Sequence, residues 1–119
     1  MPNIDWVRAY YAAVDSMNME SYLAYHTDDV RFRLGSTPTT TGKEPVKAGL
    51  NHLWGALESL RHEMTGVWIV DNIAIVEADI TYTLKSGKAV ILPAVTVLRT
   101  EGDLVNDVRI NMDINPVFA

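Results

Sequence analysis

The chain has 119 residues, 48% of them hydrophobic and 21% charged, which suits one soluble domain with one core. Its formal net charge is −5, and only Arg31 and Arg33 stand close together, behind Asp28 and Asp29, so a nucleic-acid partner is not expected. There is no cysteine, which excludes disulfides, thiolate metal sites and a cysteine nucleophile and fits a reducing cytoplasm.

Val7, Tyr10, Tyr11 and Val14 recur at helical spacing and predict a first helix. Asn18 is the cap of a second, short one, with Glu20 in its first turn and Met19, Tyr22 and Leu23 on its apolar side. Val30, Phe32 and Leu34 alternate with Arg31 and Arg33, a short strand. The segment from Gly35 to Gly42 is a loop by composition. Thr41-Gly42-Lys43-Glu44 reads as a capping box with Pro45 in the first turn. Val46, Leu50, Leu53, Leu57 and Leu60 then form the apolar stripe of a long third helix.

The second half reads as strands: Met64 to Val70, Ile73 to Leu84, Ala89 to Arg99 and Leu104 to Ile114. Their short connections, at Asp71-Asn72, Ser86-Gly87 and Glu101-Gly102-Asp103, predict an antiparallel meander. Pro93 has no backbone donor and should mark a bulge or an unpaired position. The longest apolar stretch, Ala89 to Leu98, is interrupted by Pro93 and Thr96. It falls far short of the roughly 20 residues that span a bilayer, and the N-terminus has no basic-then-apolar signal pattern, so no membrane partner is expected. Helices first and a meander after give an α+β domain over residues 1–119: a curved, mostly antiparallel sheet cupping three N-terminal helices as a cone-shaped α+β barrel. The space between sheet and helices becomes either a packed core or a cavity.

The strand from Ile73 to Thr83 carries the most pointed chemical signal. Alternation places Ala74, Val76, Ala78, Ile80 and Tyr82 on one face and Ile73, Ile75, Glu77, Asp79, Thr81 and Thr83 on the other. Glu77 and Asp79 lie about 7 Å apart along the strand. In a low-dielectric cavity they could not ionise independently, and one would serve as acid beside the other as base. In solvent they would be an ordinary surface pair.

The order of elements and four short motifs resemble the nuclear-transport-factor-2-like superfamily, with the SnoaL-like, polyketide-cyclase-type branch nearest. The motifs are Tyr25-His26-Thr27-Asp28-Asp29-Val30, Gly42-Lys43-Glu44, Val76-Glu77-Ala78-Asp79 and Arg109-Ile110-Asn111-Met112-Asp113. The resemblance covers nearly the whole chain and implies a conical pocket for a small apolar molecule and pairing as a homodimer through the sheet. No cofactor and no metal is expected, since the sequence has no Gly-rich phosphate loop, HExxH motif or carboxylate metal cluster. The superfamily includes ketosteroid isomerases, limonene-epoxide hydrolases, polyketide cyclases, dehydratases and non-catalytic binding proteins, so fold alone does not choose among them. By the resemblance, the isomerase general base falls at Leu34, which cannot take a proton. The oxyanion tyrosine falls near Tyr10 and the second oxyanion acid near Thr96. The Arg-x-Asp pair of the epoxide hydrolases falls on Glu77-Ala78-Asp79, where only Asp79 matches. Their tyrosine and asparagine fall near Phe32 and Leu34, and their second aspartate near Arg109 or Ile110.

The candidate catalytic residues are therefore Asp79 and Glu77, with His62 as an alternative acid-base partner, Tyr10 as hydrogen-bond donor and Arg109 as electrostatic partner. Arg109, Asn111 and Asp113 share one face. If that face is concave, Arg109 pairs with Glu77 or Asp79; if it is convex, Val108, Ile110 and Met112 line the cavity. Tyr22, Trp54, Trp68, Phe32 and Leu34 are the candidate ligand wall. The functional expectation is cofactor-free acid-base chemistry on a small apolar molecule (isomerisation, cyclisation, dehydration or water addition). The alternative is a non-catalytic ligand-binding or protein-interaction module.

Overall fold

The computed structural model describes residues 2–119. Helix α1 (Ile4–Asp15) opens where the Asn3 side-chain oxygen accepts the Trp6 N–H at 2.9 Å, and it buries Val7, Tyr10 and Tyr11. Helix α2 (Met19–Leu23) is capped by Asn18, which accepts the Ser21 N–H at 3.0 Å, as its sequence predicts. Strand β1 (His26–Leu34) and the two-residue β2 (Thr40–Thr41) precede helix α3 (Lys43–Gly55). Four strands follow: β3 (Leu57–Val70), β4 (Ile73–Leu84), β5 (Ala89–Glu101) and β6 (Leu104–Asn111). A short helix α4 (Asn115–Phe118) comes last.

The six strands form one mixed sheet in the order β2-β1-β6-β5-β4-β3, open at β2 and β3. The β3-to-β6 meander is antiparallel as expected, whereas β1 runs parallel to β6. Pro93 lies on a stretch of β5 that β6 does not accompany, since their pairing begins at Val95, so its missing N–H leaves no gap in that ladder. Ala74, Val76, Ala78, Ile80 and Tyr82 of β4 and Ala94, Thr96 and Leu98 of β5 are buried on the inner face, against helices α1 and α3. The result is the α+β arrangement of helices held in a sheet.

Three local expectations are corrected. The stripe assigned to the third helix is divided, because α3 ends at Gly55 and Leu57 and Leu60 belong to β3. A register shift between Leu57 and Ser59 lets two residues three apart both turn inward, which imitates helical spacing. The capping box does not form. Thr41 pairs with Arg31 in the sheet, and Gly42, at φ 97°, precedes α3 without a side-chain cap. That φ lies in the region that favours glycine. Finally, the last strand stops at Asn111, and Asn115-Pro116 begins α4, placing proline in a first turn where its absent N–H costs nothing.

Candidate functional site

The inner face of the sheet and helices α1 to α3 enclose a cavity. Its aromatic wall is Tyr10, Tyr11, Tyr22, Phe32, Trp54 and Tyr82, and aliphatic side chains including Leu34, Leu50, Leu53, Ile80, Val108 and Ile110 complete it. The cavity is narrow, with a volume of about 50 Å³. Its polar groups are His62, Thr96 and the phenol hydroxyls. No carboxylate and no lysine or arginine lines it.

His62 enters this wall from β3, where Leu60 and Met64 on either side of it also turn inward. Asp15, the last residue of α1, holds it at two points. One carboxylate oxygen lies 2.6 Å from His62 Nδ1, and the other accepts the His62 backbone N–H at 2.9 Å. A carboxylate oxygen accepts, so Nδ1 carries a proton towards Asp15, and in the neutral ring Nε2 is then the bare nitrogen. The side chain of His62 is one-tenth exposed and that of Asp15 about a quarter, so water screens the pair only in part. The Tyr11 ring packs on His62 with centroids 4.8 Å apart. Burial pushes the Tyr11 phenol up, out of reach of ionisation near neutral pH. Thr96 opposes this as a smaller effect, and Tyr22 and then Asp15 add to it. Tyr11 therefore keeps its proton and can present it to a bound molecule.

A second polar group lies at the other side of α1. His26 is buried at the start of β1, with Nδ1 2.7 Å from the Tyr22 carbonyl and Nε2 2.9 Å from the Tyr10 hydroxyl. The carbonyl can only accept, so Nδ1–H donates to it, and the bare Nε2 takes the single Tyr10 proton. The Tyr22 hydroxyl, 3.4 Å from that of Tyr10, closes the chain. Burial lowers His26 from its ordinary value to about 4, with the Tyr22 carbonyl acting in the opposite direction and Lys43 adding to the depression. Burial likewise raises Tyr22 to about 12, the Tyr10 hydroxyl opposing it. Tyr10, expected as a donor to ligand, thus has its proton engaged by His26.

Of the residues singled out from sequence, Tyr10, Tyr22, Phe32, Leu34, Trp54 and His62 are brought together around the cavity. Glu77 and Asp79 are not. Both are exposed on the outer face of β4, where Glu77 accepts the Thr65 hydroxyl at 2.7 Å, because the apolar alternates Val76, Ala78 and Ile80 fill the inner face. Arg109 is also outside. Val108 and Ile110 take the inward positions of β6, and Arg109 donates to Asp107 at 3.0 Å, with Arg31 and Arg99 nearby on the same carboxylate. Trp68 is 53% exposed on the outer face. A bulge between Met64 and Gly66 reverses the alternation that would have turned Trp68 inward from His62, so that it pairs across from Ile75.

Asp15 and Tyr11 were not among the expected site residues. Asp15 left a signal, since an acid in the last turn of a helix without a basic neighbour opposes the macrodipole and calls for a partner elsewhere. Tyr11 left none beyond its helical spacing. No group of three or more His, Cys, Asp or Glu side chains able to hold a metal occurs among the described residues. No described helix is long and apolar enough to cross a membrane.

An open sheet closed by helices over an apolar cavity, with a hydrogen-bonded histidine at its wall, defines a cone-like α+β fold. The chain belongs to the SnoaL-like domain family, which it matches over residues 7–108. No curated protein matches it in sequence. Among solved structures it is similar to a nuclear-transport-factor-2-like protein of unknown function from Burkholderia pseudomallei, at 21% identity and TM-score 0.85 over 99% of this chain and 96% of the other. It is similar to TerC, crystallised with polyporic acid, at 19% identity and TM-score 0.81 over 99% and 96% of the two chains. An epoxide hydrolase of the limonene-epoxide-hydrolase-like type from Mycobacterium tuberculosis shares the fold at 14% identity and TM-score 0.80, over 97% and 85%.

Proposed function

We propose that the protein is a cofactor-independent acid-base enzyme acting on a small, uncharged, mostly apolar molecule. His62 moves the proton, Asp15 fixes its tautomer, and Tyr11 donates a hydrogen bond to the oxygen on which charge develops. The observation that carries this reading is the Asp15-bound imidazole in the wall of a mostly apolar cavity. A neutral imidazole can take a proton from a carbon or a water, and a nearby phenol that stays protonated complements the oxyanion so formed. Isomerisation, cyclisation, dehydration and water addition can each use such a pair. The wall of aromatic and aliphatic side chains selects against charged substrates.

The test is exchange of the α-protons of small cyclic ketones in deuterated water, followed by NMR. The wild type should accelerate exchange, and His62→Asn should bring it close to the solvent rate. Equal acceleration by both proteins would remove His62 from the chemistry. A second reading, non-catalytic binding, is favoured by the narrowness of the cavity and by the engagement of the Tyr10 proton with His26. Binding of the same ketones without exchange would establish it.

The outer face of the sheet supports a homodimer. Trp68, Val70, Ile91 and Val95 are 53%, 57%, 66% and 38% exposed there, an apolar area of the kind that marks interfaces. Glu63, Glu77 and Asp79 lie with Arg61 on the β3 and β4 side, and Arg31, Arg33, Arg99 and Arg109 lie with Asp107 on the β1, β6 and β5 side, so the first side is acidic on balance and the second basic. A two-fold axis through the apolar strip sets one copy's acids against the other's arginines. Light scattering should give twice the 13.3 kDa chain mass and a monomer for the Trp68→Lys, Val95→Lys double variant. A monomeric wild type would overturn the dimer.

A further inference from the structure

A second cavity lies between α3 and the segment joining β1 to β2. Its volume is about 180 Å³, more than the inner cavity's roughly 50 Å³. Phe32, Leu34, Leu50 and Leu53 line both, so one layer of apolar side chains is all that divides them. Pro45 and Val46 extend the apolar wall, and the only polar side chains on it are Thr37 and Thr40. No charged group faces the space, so it suits neither an anion nor a cation. Its volume is below the ~300 Å³ of a complete ligand site, which makes it a place for part of a molecule.

At its rim stands Gly49, exposed in the middle of α3. A Cβ built there meets nothing within 4 Å, so the helix leaves an opening that a bulky side chain would fill. Glycine in a helix interior is unfavourable relative to alanine, and here its effect is to keep the chamber's mouth clear.

The geometry points to one elongated site in two chambers. The inner chamber takes the reacting head of the ligand beside His62, and the outer chamber takes an uncharged apolar tail, a hydrocarbon chain or ring substituent, for which the side chains of Phe32, Leu34, Leu50 and Leu53 must turn apart. The placement of the head rests on the acid-base reading above, while the tail chamber is tested by binding alone. The substrate class follows: a small oxygenated head on an extended hydrophobic body, in place of a compact single ring.

The experiment is an NMR titration with the 2-alkanones from 2-butanone to 2-decanone. In the wild type, affinity should rise about fourfold for each methylene that enters the outer chamber. Gly49→Phe and, from the opposite wall, Thr37→Trp should each weaken the longest members by tenfold or more and leave the shortest within twofold. Gly49→Ala should keep the whole series. A wild-type series that does not rise with length would overturn the two-chamber site. So would long-chain affinities untouched by both bulky variants, or losses that fall equally on short and long ketones. Failure of His62→Asn to slow proton exchange would leave the length dependence in place and remove only the catalytic reading.

Discussion

With Asp15 replaced by asparagine, catalysed proton exchange is expected to fall by about 10²- to 10⁴-fold, the range that positioned acid-base groups contribute. The reason is the tautomer. Asp15 can only accept from Nδ1 of His62, which leaves Nε2 bare in the neutral ring. An asparagine can turn its amide nitrogen to the ring, donate to Nδ1 and move the ring proton to Nε2, where the base is needed. The loss should appear in turnover much more than in ketone affinity, because Asp15 does not line the cavity. Asp15→Ala should also destabilise the fold by about 1–3 kcal/mol, since the His62 backbone N–H loses its acceptor. Urea denaturation separates the two effects. An Asp15→Asn protein with full exchange activity would show that the carboxylate serves only to join α1 to β3.

The second expected result concerns His26 and pH. In the fold, burial lowers its value to about 4, while the unfolded chain takes the proton near the ordinary value of about 6.5. Above that value both states are neutral and the stabilisation is complete. As pH falls from about 6.5 towards 4, the unfolded chain binds a proton that the folded protein refuses, so stability is lost. Below about 4 the folded state is protonated too and the loss levels off. The window is worth about 3 kcal/mol. Protonation there would also set a positive Nε2–H against the Tyr10 hydroxyl that now donates to it, so the Tyr22–Tyr10–His26 chain must reorganise. Urea denaturation at pH 7.5 and 4.5 should show this loss in the wild type and a smaller one in His26→Gln, which keeps His52 and His62 as internal controls. Identical losses in the two proteins would remove His26 as the cause.

The fold was legible because its largest signals are local. Asn18 caps α2, the turns between β3 and β6 are short, and the alternation in Ile73 to Thr83 divided the strand correctly into two faces. Which face met the cavity was less legible, and the physical clue was burial cost. Ala74, Val76, Ala78, Ile80 and Tyr82 can be buried without compensation, whereas Glu77 and Asp79 cannot. The position of Trp68 could not be read from alternation, since the bulge after Met64 inserts one residue without a marker in composition other than Gly66. The glycine does have a reason: the Trp68 ring lies over it, 2.4 Å from where a Cβ would stand. Half of the candidate site was visible, in His62. Its partner Asp15 is 47 residues away in sequence, and only the packing of α1 against β3 brings the two into contact.

The parallel pairing of β1 with β6 has a consequence for how the protein is made. Every strand of the meander finds a neighbour next to it in the chain, but β1 finds only the two-residue β2, and its other edge must wait until β6, the last strand, has been synthesised. Val30 and Phe32 on one side and Val108 and Ile110 on the other remain exposed until then. Such long-range closure slows folding and leaves apolar edges open in the meantime. On the ribosome, the β3–β4–β5 hairpins can assemble early, and the pocket is the last part of the molecule to come into existence. Nascent chains truncated before β6 should therefore be protected from proteolysis in the hairpins and cleaved in β1.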